Sequence, residues 1–126
     1  MNKDSVIQTS IAPWLTVNDG KKAVVFYAAA FNAIETYRLE GEGVFIVCLN
    51  INGAEIWVNE DADSNNLNDI NARMILTVTN PEEVFNNAIK AGAKKIFPVG
   101  VDHGWKLGRI EDPFGLHWEI GHPVSQ

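Results

Sequence analysis

With a single cysteine, Cys48, the 126-residue chain cannot form an internal disulfide, so its stability has to come from an apolar core. Cys48 itself lies in the apolar run 44–49, where a thiol behaves as a small hydrophobe. Basic residues are scarce as well. Ten Lys and Arg stand against 16 Asp and Glu, a formal charge of −6, and no basic cluster is present to neutralise phosphates. Nonspecific nucleic-acid binding is excluded on that ground. No apolar run approaches the length of a membrane span, and residues 1–10 are polar without the apolar stretch of a signal sequence. The expected location is therefore the cytoplasm, with no membrane partner.

What the sequence does hold is the composition of an ordinary folded domain, 46% apolar and 21% charged. The length suits one domain over 1–126 that buries its core without a structural metal.

An internal repeat organises that domain. Leu15-Thr16-Val17 recurs as Leu76-Thr77-Val78, and Trp57 and Trp118 keep the same offset of 61. The spacing predicts two copies of one unit, module one over about 8–60 and module two over about 72–122. In the first copy residues 11–17 read as a strand, and Asn18-Asp19-Gly20 as a turn and helix cap. Ala23, Phe26, Tyr27, Ala30 and Phe31 then fall on one helical stripe that must be buried, and Asn32 stops the helix in the left-handed conformation. Strands follow at 34–40, 44–51 and 54–59, the last two joined by an Asn52-Gly53 hairpin turn. After a polar loop at 61–71, residues 72–78 form the next strand. Asn80 caps a second helix with Pro81 in its first position and Glu83 at the capping-box position. Gly92 ends it, and strands near 94–97, 106–111 and 117–121 complete the unit.

Strand parity divides the opening strands into two faces. Leu15 and Val17, like Met74, Leu76 and Val78, face the helices. Trp14 and Thr16, like Arg73, Ile75 and Thr77, face away and line a cleft. Trp57, Trp118, Phe26, Phe31 and Phe85 are expected in the core.

Two successive β-α-β-β-β units resemble the vicinal oxygen chelate superfamily, the glyoxalase, bleomycin-resistance and extradiol-dioxygenase group. The likeness is carried by Leu15-Thr16-Val17-Asn18-Asp19, Phe26-Tyr27 and Phe31-Asn32-Ala33 at one end. At the other it is carried by Gly104-Trp105, Gly108-Arg109 and the run Asp112-Pro113-Phe114-Gly115-Leu116-His117-Trp118-Glu119. The Asp-Pro-Phe-Gly segment is also a turn on physical grounds, since aspartate starts it, proline presets its angle and glycine fits its fourth place. The resemblance implies an α+β fold, the two modules forming a curved eight-stranded mixed assembly around a cleft with the helices outside.

The resemblance also places metal ligands on the first and last strands of both modules, which here gives Ala12, Val58, Arg73 and Glu119. Alanine and valine offer no donor and arginine is permanently cationic, so no metal is expected, although Glu119 with His117 on the same strand face would be the pair to hold a divalent ion if one bound. His103 and His122 do not complete that pair. The expected function is binding of a small organic ligand in the cleft without the family metal site, through Trp14, Arg73, Trp105 and Glu119, by a protein that forms a homodimer. The alternative is a lyase, isomerase or dioxygenase in which Glu119 is the catalytic base and Arg73, or an unrecognised metal, stabilises negative charge.

Overall fold

Each module begins where a short parallel strand must be converted into a helix, and the capping residues do this locally. The computed structural model describes residues 10–63, 73–102 and 104–124. Strand β1 (Trp14–Val17) leads into α1 (Gly20–Phe31), which Asp19 caps by accepting the Lys22 amide at 3.1 Å. Asn32 ends the helix at φ 58° in the left-handed region, and its amide and that of Ala33 return to the carbonyls of Ala28 and Tyr27. Strands β2 (Ile34–Gly41), β3 (Val44–Ile51) and β4 (Ala54–Glu60) follow. Asn52 and Gly53 both have positive φ, as a primed two-residue hairpin turn requires.

Module two repeats the order with β5 (Arg73–Thr77), α2 (Pro81–Ala91), β6 (Lys94–Asp102), β7 (Trp105–Glu111) and β8 (His117–Pro123). Pro81 opens α2 as expected, but Asn80 makes no side-chain bond to the helix backbone. Its amide instead donates to the Glu83 carboxylate at 2.8 Å, so glutamate satisfies the side chain rather than the backbone. The polar loop expected at 61–71 lies mostly outside the described residues, as does His103.

The eight strands of this α+β fold divide into two four-stranded mixed sheets, ordered β1-β4-β3-β2 and β5-β8-β7-β6. In each, the first strand runs parallel to the last and the other neighbours are antiparallel. Three boundaries differ by more than one residue from the sequence expectation. β1 begins at Trp14 rather than residue 11, since the Pro13 carbonyl accepts the Trp57 amide but proline has no N–H to extend the ladder. β6 and β8 run on to Asp102 and Pro123, because pairing with β7 carries them past the apolar stretches that mark them in sequence.

The helix-side face of both sheets and the two helices enclose one core, in which Leu15, Val17, Val47, Val58, Ile110 and Ile120 are buried. Tyr27 crosses between modules, donating to Asp112 at 2.5 Å. The same carboxylate accepts from Trp118 Nε1 at 2.9 Å and from the amides of Phe114 and Leu116 at 2.9 and 3.0 Å. Four donors thus meet one buried acid, which locks the Asp-Pro-Phe-Gly turn onto α1. Among the described residues, no helix covers the opposite sheet faces.

Candidate functional site

On the open face of module two, β8 holds Glu119 at the level of Ile75 on β5 and of Arg109 on β7. Glu119 Oε2 receives Arg73 Nε at 2.9 Å and Arg109 Nη2 at 2.5 Å. The carboxylate side chain is 12% exposed, against 52% for Arg73 and 23% for Arg109. Arg109 is further held over the Phe97 ring, 5.4 Å from its centroid. Its Nε is buried and, among the described residues, has no hydrogen-bond partner, so packing and the Glu119 bond set its position.

Beside this triad runs a groove of about 370 Å³, walled by Phe97, Pro98, Val101, Trp105 and Leu107 with Glu119 at one end. Its volume lies in the range of small-molecule sites, and apolar walls with a few convergent polar groups are their usual make-up. Of the residues singled out from the sequence, Trp105 and Glu119 line this groove, and Arg73 joins them through its ion pair with Glu119.

Trp14 does not join them, because it stands on the other sheet. There it stacks on Trp57, with centroids 6.2 Å apart and planes at 21°, and Tyr37 meets Trp57 edge-on at 5.8 Å. Trp57 was expected in the core beside Trp118, but only Trp118 is buried there. The physical reason is one extra residue in the second hairpin. Trp14 pairs with Trp57, whereas its counterpart Ile75 pairs with Glu119, so the repeat offset grows from 61 on the first strands to 62 on the last. Val58, matched to Glu119 by the constant offset, consequently points into the core and is fully buried. Trp57 occupies the place equivalent to Glu119.

Arg109 was missed. The signal for it was present: a hairpin closing at Glu111 and His117 sets Arg109 opposite Glu119 by counting outward. His117 shares the open face with Glu119, but its Nε2 lies 3.8 Å from Glu111 Oε1.

No family model matches the chain. It is 32% identical over 133 residues to an uncharacterized protein of Mycobacterium bovis, spanning 95% of this chain and 87% of that protein. A glyoxylase/bleomycin resistance protein/dioxygenase domain from Frankia sp. EAN1pec superposes with a TM-score of 0.77 at 18% identity, covering 94% of this chain and 99% of that one. The chain therefore has the fold of that glyoxylase/bleomycin resistance protein/dioxygenase domain. It also shares a family with the mycobacterial protein. Another fold relative is the fosfomycin resistance protein FosX of Listeria monocytogenes, complexed with Mn(II) and 1S,2S-dihydroxypropylphosphonic acid. Its TM-score is 0.74 at 18% identity over 94% of this chain and 93% of that one.

The positions to which the sequence resemblance assigns ligands are Ala12, Val58, Arg73 and Glu119, with Trp57 in the place of the buried Val58 by strand register, and this donor set does not fit a divalent metal. One carboxylate is present, and the oxygen it would offer already takes two guanidiniums. Among the described residues no three His, Cys, Asp or Glu side chains converge as ligands.

Proposed function

We propose that this protein binds a small organic molecule in the module-two groove, with guanidinium charge standing where superfamily relatives place metal ligands. The observation that carries the proposal is the double clamp of Arg73 and Arg109 on Glu119 at the end of an apolar-walled groove. A cation that needs no coordination sphere supplies positive charge, while Trp105 and Phe97 supply apolar contact.

The test is elemental analysis of tag-free protein together with a thermal-shift screen of small organic compounds, each run with and without a chelator. A ligand at 100-fold its Kd stabilises the folded state by about 2.7 kcal/mol, and that shift should be the same in chelator. Stoichiometric zinc, nickel, iron or manganese, or stabilisation abolished by chelator, would refute the metal-free reading.

We further propose a homodimer. Its support is the aromatic and aliphatic surface left open on the described part of both sheets, with Trp14 53% and Ile75 63% exposed. Light scattering that returns the monomer mass at tens of micromolar, on the order of assay concentration, would overturn this. A cytoplasmic location belongs to the same reading, resting on the free thiol of Cys48.

A further inference from the structure

We propose a second binding site, in the seam between the two modules, that takes a monocation with an apolar body, of which an alkylammonium is the simplest member. Its lining shares no residue with the module-two groove, so it is a separate site.

The seam holds a cavity of about 480 Å³, within the range of small-molecule sites. Its floor is cut into the core, since Ile51 and Ile56 of module one and Leu76 and Trp118 of module two line it and all four are buried. Pro13 and Met74 add further apolar wall. An aliphatic chain laid there leaves water for surfaces that already belong to the core.

Charge decides which kind of chain. Among the described residues that line the cavity, Glu55 alone is charged. It is exposed, and among the described residues it makes no ion pair and no side-chain hydrogen bond. No cation of its own sheet is placed to neutralise it. Strands β1, β3 and β4 contain no Lys, Arg or His. Arg38 of β2 lies opposite the buried Val47, on the helix side, where Glu35 and Glu40 hold it at 2.8 and 2.6 Å. Across the seam Arg73 is held by Glu119. A carboxylate left uncompensated beside an apolar cavity favours a cation and disfavours an anion, while its exposure leaves water to screen the pair. The charged head therefore stays at Glu55, and the apolar chain enters the seam.

The experiment is calorimetric titration of the full chain at neutral pH, where an alkylamine is protonated as a lysine side chain is, with hexylammonium, 1-hexanol, hexanoate and methylammonium. The first three share one body and differ in charge, and the last is a cation without the body. Hexylammonium should bind about three- to five-fold more tightly than 1-hexanol, the worth of one ion pair that water still reaches, with hexanoate and methylammonium weaker than both. Glu55→Gln, at an exposed side chain, should bring hexylammonium to the level of 1-hexanol. Ala54→Leu, which fills the cavity from another exposed lining position, should weaken both alike while the circular dichroism spectrum stays that of the wild type. Hexylammonium that binds no better than 1-hexanol or hexanoate would overturn the proposal. So would a preference that survives Glu55→Gln, binding unmoved by Ala54→Leu, or no binding by any of the probes.

Discussion

Removing Arg73 and removing Arg109 should have unequal effects on stability, although both contact the same oxygen of Glu119. Arg73 is half exposed and its ion pair is solvated, so Arg73→Ala should cost about 0 to 1 kcal/mol. Arg109 is mostly enclosed and makes the shorter bond, at 2.5 Å. Its loss forfeits a charge-assisted hydrogen bond worth about 1.5 to 3 kcal/mol and a contact with Phe97 worth about 0.5 to 1 kcal/mol, for a total of about 2 to 4 kcal/mol. Either single variant leaves Glu119 with one partner. The double variant leaves none, and a carboxylate only 12% exposed then has no counter-charge, so the pair of changes should cost more than the sum of the singles. Urea unfolding followed by tryptophan fluorescence measures this, provided the slope with denaturant stays constant across the four proteins. Equal costs for the two single variants, or strict additivity in the double, would refute the reasoning, because either would mean that Glu119 does not depend on the two arginines jointly.

Asp112→Ala strands the donors of Tyr27, Trp118, Phe114 and Leu116 and should cost about 3 to 5 kcal/mol in the same assay, with Tyr27→Phe costing about 1 to 2 kcal/mol. Burial pushes the Asp112 carboxyl above its ordinary value of 3.8 against the opposing pull of its donors, so its contribution is full below that pH and is lost as pH rises through the folded value. Stability should therefore fall with pH just above 3.8 in the wild type, and this component should vanish in Asp112→Asn. Burial, and then the Asp112 charge, raise the Tyr27 hydroxyl well above 10.0, so a second loss should set in as pH passes 10.0 and be absent from Tyr27→Phe. Gly121→Ala should disrupt β8, since the added carbon would collide with the Lys106 carbonyl and Leu107, and circular dichroism should show a large drop in melting temperature.

Much of the architecture was decided locally and could be read residue by residue. The stripe of Ala23, Phe26, Tyr27, Ala30 and Phe31 is buried because helical geometry leaves those positions nowhere else to point. Strand parity likewise separated Leu15 and Val17 from Trp14, and Leu76 from Arg73. Arg73 and Glu119 were placed together by the family resemblance rather than by parity, and they do meet on one face. Tertiary structure decided what depends on register between strands. One extra residue in the β7–β8 hairpin breaks the constant repeat offset, so Trp57 rather than Val58 is the open-face counterpart of Glu119, because a slip of one residue reverses the face assigned to every side chain after it. The same register put Arg109 against Glu119, and packing of α1 on the last hairpin joined Tyr27 to Asp112, 85 residues away in the chain. Periodicity describes one element at a time, whereas the second arginine and the buried acid exist only as contacts between elements.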